Sequence, residues 1–230
     1  MNDPPRLFPD DLLPADPVES TAAAPAWPAG FAHHPGLLDR AAQEQLRDGI
    51  REVVRAAPLF TPRMPKTGQP LSVRMTNCGA LGWVSDAAGY RYQRHHPVTG
   101  APWPPMPGML AALWRRLAPD APAPQACLVN FYGPQARMGL HQDRDEQTFA
   151  APVVSLSLGE TCLFRIGGAA RGGRTQSLRL ASGDAVVLGG PARLAFHGVD
   201  RIYPGTCDLL PNGGRINLTL RRVTPAGDAP

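Results

Sequence analysis

The chain has 230 residues, 43% hydrophobic, 18% charged and 7% aromatic, the balance of one domain that can bury about 70% of its unfolded surface without crosslinks. No run of about 18 apolar residues occurs, and the acidic start lacks the basic and apolar stretches of a secretion signal, so the sequence predicts neither a membrane span nor export but a cytoplasmic protein. Net charge is +4, with five acids against one arginine in residues 1–35, so the remainder is basic and compatible with a polyanionic partner.

Residues 1–35 are rich in Pro, Ala and Asp with no apolar period and predict a poorly structured arm. Asp39 is positioned to cap a helix reaching about Ala57. Leu46, Ile50, Val53, Val54 and Ala57 recur there at three-to-four spacing, while Glu44, Arg47, Asp48 and Arg51 face away. Residues 61–106 read as a loop-rich extension. It precedes a second helix, about 107–118, that opens with Pro107 and carries Met109, Leu110, Leu113, Trp114 and Leu117 as a buried stripe. Cys78, Cys127, Cys162 and Cys207 stand singly, with no C-x-x-C pair, and predict reduced thiols.

From Ala126 the texture changes to short β-rich runs at 127–132, 153–158, 162–166, 177–180, 185–188, 194–196 and 215–221, divided by Gly, Pro, Asn and Asp. Closely spaced strands of this kind predict a sandwich or barrel. The expected plan is α+β and mainly β. A single domain covers 36–225, two helices flank a barrel-like core at 126–222, and residues 61–106 lie over one mouth.

Three constellations could carry chemistry. Strand side chains alternate with period two, so His141 and Asp143 project to one side while Gln142 takes the other. His197 follows the apolar run Leu194-Ala195-Phe196 and precedes Gly198, which predicts a strand end opening on a mouth. Two histidines and a carboxylate form the facial triad of non-haem Fe(II) sites, and zinc accepts the same ligands. The other histidines, His33, His34, His95 and His96, come as adjacent pairs whose side chains diverge, and are expected to be solvated.

The second constellation is residues 215–221, where Ile216, Leu218 and Leu220 share one face and Arg215, Asn217, Thr219 and Arg221 the other. The face could be a half-exposed strand. If it is buried it demands an anion, because unpaired buried guanidinium is unfavourable and its planar fork suits carboxylates. The third is Asn130 and Tyr132, which share a strand face and could donate to the same anion. A glycine-rich segment, 168–175, imitates a phosphate loop. Arg174 stands where that motif needs Lys, and the residues after it alternate like a strand, so a hairpin turn carrying Arg171 and Arg174 fits better.

Met75-Thr76-Asn77-Cys78-Gly79, Leu81-Gly82-Trp83, Ala126-Cys127-Leu128, His141-Gln142-Asp143-Arg144-Asp145-Glu146, 152–159 and Asn217-Leu218-Thr219 together resemble the bacterial AlkB proteins. Those are Fe(II)- and 2-oxoglutarate-dependent dioxygenases that repair alkylated bases. The resemblance covers roughly residues 58–222 and implies a double-stranded β-helix, or jelly-roll, core. It implies iron held by His141, Asp143 and His197, and 2-oxoglutarate bound by Asn130, Tyr132, Arg215, Asn217 and Arg221, with Arg215 on the distal carboxylate.

It further implies that 61–106 is a nucleotide-recognition lid. Trp83 would stack on the flipped base opposite the His141 ring, Asp145 would meet the base edge, Arg171 would contact substrate, and Tyr90 would lie near a backbone phosphate. The implied activity is oxidative demethylation of bases such as 1-methyladenine and 3-methylcytosine in DNA, single-stranded before double-stranded, and in RNA, by a monomer. Methylation makes such a base cationic and blocks its pairing edge, which favours aromatic stacking and cheap flipping. Ala80 and Arg165 depart from the family pattern and bear on substrate preference. Three alternatives stand beside this. An oxygenase acting on RNA or protein would keep every residue. A zinc hydrolase would leave the arginine face without a purpose, and a non-catalytic single-strand binding module would not need the metal ligands.

Overall fold

The computed structural model describes residues 27–228. Most of the arm expected at 1–35 therefore lies outside the described residues. Its last part does not fit that expectation, because β1 (Phe31–His34) pairs antiparallel with β10. Helix α1 (Arg40–Ala56) follows. The Asp39 carboxylate caps it by accepting from the Ala42 amide at 2.8 Å, and Leu46, Ile50 and Val53 are buried. Next come β2 (Arg74–Gly79), β3 (Gly82–Asp86) and β4 (Gly89–Gln93), then α2 (Gly108–Leu117), which starts directly after Pro107.

The remaining strands are β5 (Ala126–Tyr132), β6 (Met138–His141), β7 (Val153–Gly159), β8 (Thr161–Ile166), β9 (Gln176–Leu180), β10 (Ala185–Leu188), β11 (His197–Tyr203) and β12 (Arg215–Arg221). They form a six-stranded sheet in the order β1-β10-β7-β12-β5-β2 and a four-stranded sheet in the order β6-β11-β8-β9. Every pairing within them is antiparallel. The chain crosses repeatedly between the two sheets, as in the expected double-stranded β-helix. The strands β3 and β4 form a separate two-stranded ribbon.

Alternation along the strands separates two cores. Outward residues of the large sheet, Val154, Leu156, Leu158, Leu218 and Leu220, pack with Leu46, Ile50, Leu110 and Trp114 from the helices. Inward residues, Leu128, Tyr132, Val153, Val186 and Leu188, meet Phe164, Ile166 and Val199 of the small sheet. Beyond these, Asn130, Arg215, Asn217, Thr219 and Arg221 face the same interior and line its cavity. Glycines 167, 168, 172 and 173 fall in the β8–β9 connection, the hairpin expected there.

Three expectations need correction. The stretch 61–106 is not one loop-rich extension, since β2 is an edge strand of the large sheet paired with β5 and only the β3–β4 ribbon stands free of both sheets. Its short, Gly-bounded strands hid this. Residues 194–196 do not form a strand. They follow a short 3-10 turn, Gly190–Ala192, so His197 opens β11 where a strand end was expected. Nor are the paired histidines all solvated. His96 is buried, with Nε2 2.7 Å from the Pro58 carbonyl and Nδ1 accepting from the Val98 and Thr99 amides, and His33 reaches Asp184 at 3.2 Å. Diverging neighbours need not both face water.

Candidate active site

A cavity of about 720 Å³ opens between the two sheets under the ribbon. At its mouth His141 and His197 are direct cross-strand partners on β6 and β11, with ring centroids 4.6 Å apart. A register shift between His197 and Val199 lets β6 carry an extra residue there. Gly198 permits it: a Cβ at this position would lie 2.5 Å from the Met138 carbonyl oxygen.

The Asp143 carboxylate completes the set, 3.7 Å from His141 Nε2 and 3.8 Å from His197 Nε2. One ligand atom from each of the three residues falls within 4.8 Å of the others. Each histidine turns Nδ1 to a backbone carbonyl, Gly139 for His141 at 3.0 Å and Ala195 for His197 at 2.9 Å. That contact stabilises Nδ1–H and leaves Nε2 as a lone-pair donor toward the shared point. Burial, joined by the His141 charge, pushes the His197 pKa down to about 4, so its ring is neutral at physiological pH. Burial alone would raise the Asp143 pKa. The Arg221 guanidinium above all, with the two imidazoles adding to it where they are protonated, outweighs burial and holds the carboxyl well below the usual range. Two imidazoles and one carboxylate with the third face open are what a mononuclear Fe(II) centre requires.

The opposite end of the cavity is cationic. Arg215 is 1% exposed, donates from Nη2 to Ser157 Oγ at 2.9 Å and lies 5.3 Å over the Tyr132 ring. Its Nε and Nη1 are buried without a hydrogen-bond partner, as is Asn130 Oδ1. A buried guanidinium with two orphaned donors awaits a carboxylate. Asn217 is held by Ser155 Oγ at 2.6 Å and takes the Asn130 amide at 3.3 Å. Burial pushes the Tyr132 hydroxyl up to about 12, so it stays a proton donor. The residues therefore fit a dicarboxylic cosubstrate reaching from the metal to Arg215.

Arg221 differs from Arg215, although sequence alternation grouped them. Its Nη2 is 2.7 Å from Asp143 Oδ2 and its Nε 3.3 Å from Glu146 Oε1. Glu146 and Arg193 have no role in the sequence pattern, and Tyr92, which the sequence offers with Trp83 and Tyr90 as a lid aromatic, instead turns its hydroxyl to Glu146. Arg193 is 3% exposed and donates to the Asp143 and Ala151 carbonyls, with Glu146 Oε2 3.2 Å away. No periodicity marks Arg193, and only the neighbourhood of Asp143 could have drawn attention to Glu146.

The ribbon roofs the cavity. Asn77 of β2 clasps it, donating to the Trp83 carbonyl and accepting from the Trp83 amide, both at 3.0 Å. Gly82 packs so closely that a Cβ would lie 2.4 Å from the Trp103 ring. The Trp83 indole N–H donates to Asp145 Oδ2 at 2.7 Å, and Tyr90 stacks on Trp83 at 5.7 Å with a 17° interplanar angle. Tyr90 is 47% exposed. Arg171, in the β8–β9 hairpin, lies 5.1 Å over the Phe196 ring beside His197. The cavity thus lines up Trp83, Tyr90, His141, Asp145 and Arg171 along its open side. Among the described residues no helix is long and apolar enough to cross a membrane.

A double-stranded β-helix with two histidines and a carboxylate at its mouth, and a buried arginine lacking an anion behind them, defines a mononuclear non-haem Fe(II) oxygenase with a dicarboxylic cosubstrate. The model of the 2OG-Fe(II) oxygenase superfamily matches residues 30–221. The chain is 56% identical over 197 residues to an alpha-ketoglutarate-dependent dioxygenase AlkB homolog of Caulobacter vibrioides, covering 86% of this chain and 89% of that protein. It is 40% identical over 215 residues to alpha-ketoglutarate-dependent dioxygenase AlkB of Escherichia coli, covering 88% and 96%. The solved structure of OsALKBH1 superposes with a TM-score of 0.74 at 29% identity, over 86% of this chain and 98% of that one. The chain belongs to the 2OG-Fe(II) oxygenase superfamily and, within it, to the bacterial AlkB family. It is an Fe(II)- and 2-oxoglutarate-dependent dioxygenase.

Proposed function

We propose that this enzyme removes alkyl groups oxidatively from ring nitrogens of nucleic-acid bases, 1-methyladenine and 3-methylcytosine above all. DNA is the main substrate, single strands before duplex, and RNA is a further one. The observation that carries this reading is the alignment, within one cavity, of the His-Asp-His set, the orphaned Arg215 and an aromatic ribbon. When bound, Fe(II) and 2-oxoglutarate supply the dioxygen chemistry that oxidises the methyl carbon, with succinate, CO2 and formaldehyde released and the base restored.

The protein's own contribution is positional and electrostatic. His141, Asp143 and His197 hold the metal, and the guanidinium of Arg215 takes the distal carboxylate of the cosubstrate. Asn130, Tyr132, Asn217 and Arg221 complete its binding site. Trp83 stacks on the flipped base with the His141 ring on its other face. Asp145 supplies a carboxylate at the base edge that favours a cationic methylated ring over a neutral one. A lesion that cannot pair costs least to flip, and a single strand costs less still. Arg171 and Tyr90, both exposed at the rim, steady the flanking strand.

The β3–β4 ribbon with its flanking loops in 61–106 serves as the lid, and 126–222 as the catalytic core. All these groups come from one chain, so a cytoplasmic monomer suffices. The test is formaldehyde and succinate release from a single-stranded oligonucleotide bearing 3-methylcytosine, with Fe(II), ascorbate and 2-oxoglutarate, beside Asp143→Ala. Equimolar products, lost in the variant, are expected. Succinate without formaldehyde on methylated DNA and RNA alike would overturn the nucleic-acid assignment and turn the search to protein substrates.

A further inference from the structure

The ribbon grips the metal-ligand loop at two successive carboxylates. Trp83 and Tyr92 are direct cross-strand partners on β3 and β4. Trp83 donates to Asp145, and the Tyr92 hydroxyl donates to Glu146 Oε1 at 2.6 Å. The first contact is exposed at the rim, whereas Glu146 is buried. Behind Glu146 stand two arginines. Arg221 reaches Asp143 Oδ2 from Nη2 at 2.7 Å and from Nε at 3.2 Å, and its Nε also lies 3.3 Å from Glu146 Oε1. Arg193 is 3.2 Å from Oε2 and donates from Nη1 to the Asp143 backbone carbonyl at 2.7 Å. Arg221 Nη1 also lies 3.3 Å from the Tyr92 hydroxyl. Two carboxylates and two guanidiniums thus balance in a buried quartet, and the Tyr92 hydroxyl reaches it from the ribbon, touching both Glu146 and Arg221.

We propose that Glu146 is a positioning residue that carries the posture of the lid to the metal ligand, so that 2-oxoglutarate turnover follows occupancy of the base site. A base stacking on Trp83 shifts the ribbon, and its cross-strand partner Tyr92 moves with it. Glu146 then shares Arg221 with Asp143 differently. The Glu146 charge draws Arg221 away from Asp143 and leaves that carboxylate free to ligate. Without that charge, Arg221 has one carboxylate left to neutralise, and Asp143 becomes the weaker ligand. Loss of a metal ligand's partner typically alters metal affinity about 10- to 100-fold, and Glu146 acts through such a partner, Arg221. The proposal rests on the demethylase reading for its substrate and on geometry alone for its path.

Two variants test it in the full-length protein. Tyr92→Phe keeps the ring and removes the hydroxyl that links lid to quartet. Its thermal melting and its affinity for Co(II), titrated anaerobically as a stand-in for Fe(II), should stay within about twofold of wild type, since every charge around Asp143 is kept. The stimulation of succinate formation by a 3-methylcytosine oligonucleotide should collapse by severalfold, with more succinate formed per formaldehyde. Glu146→Gln, which keeps an acceptor for Tyr92 and loses the charge, should weaken Co(II) binding by about 10-fold or more. Wild-type stimulation in Tyr92→Phe overturns the proposal, as does wild-type Co(II) affinity in Glu146→Gln. If the wild-type enzyme releases no formaldehyde from any methylated oligonucleotide, the functional reading falls instead. The Co(II) titration of Glu146→Gln then still decides the link to Asp143.

Discussion

The central strand β12 and the β3–β4 ribbon solve opposite problems. β12 is bonded on both sides, to β5 and β7, and its polar face is sealed so fully that Arg215 is 1% exposed. The ribbon has no strand partner beyond itself and leaves Tyr90 47% exposed. The groups proposed to hold the cosubstrate sit on a strand paired on both sides. The groups proposed to meet the base sit on a roof held from one side by Asn77, Arg63 and Trp103 and from the other by the carboxylates beside Asp143.

Substitutions can break this contrast, beginning with the largest expected effect. Asp143→Ala removes the only carboxylate of the metal set. Formaldehyde and succinate should both fall below detection while circular dichroism stays native, and retained turnover would remove Asp143 from the site. Arg215→Ala deletes a buried guanidinium, a loss of about 2–5 kcal/mol when its partner is charged, or roughly 30- to 4,000-fold. The 2-oxoglutarate concentration for half-maximal rate should rise by that factor, and an unchanged dependence would place the cosubstrate elsewhere.

On the ribbon side the expectations shrink and change kind. Trp83→Ala removes a stacking platform worth about 1–3 kcal/mol per base. Binding of methylated oligonucleotide should weaken by about 5- to 150-fold, while substrate-free 2-oxoglutarate decarboxylation should hardly change. Equal losses in both would make Trp83 a packing residue and erase the division. Gly82→Ala forces a methyl against the Trp103 ring and should cost about 1–3 kcal/mol by overpacking. A calorimetric melting point lowered by a few degrees, at about 2–4 °C per kcal/mol, would be the whole effect if the ribbon is merely displaced.

Much of this was legible because alternation is a local signal. The split of 215–221 into an apolar and a polar face survives folding intact, since Leu218 and Leu220 join the helix-side core and Arg215, Asn217, Thr219 and Arg221 line the cavity. Both helices follow from spacing and caps. What sequence could not show is pairing across distance. β2 reads as loop because its partner β5 lies well along the chain, and His197 changes from strand end to strand start because a turn at 190–192 intervenes. Arg215 and Arg221 look alike in an alternating strand and part only when Asp143 and Glu146 arrive beside one of them. Arg193 touches the Asp143 carbonyl and Glu146 touches Arg221, and apart from the closeness of Glu146 to Asp143 in sequence no local pattern announces either contact.

Strand β1 has a consequence outside the site. It lies at the outer edge of the large sheet, registered from Phe31↔Leu188 to His34↔Ala185, with the Phe31 ring stacked at 6.4 Å on Phe164. Contacts between residues so distant along the chain form slowly, because loop closure precedes any reward from pairing. During synthesis the first strand to emerge must wait for β10 before it can dock. Between the emergence of β10 and the docking of β1, β10 presents an unpaired, wholly apolar edge, Ala185-Val186-Val187-Leu188, the kind of template on which chains aggregate. Truncation through residue 34 would make that transient condition permanent, so the yield of soluble enzyme depends on a tetrapeptide that touches no substrate.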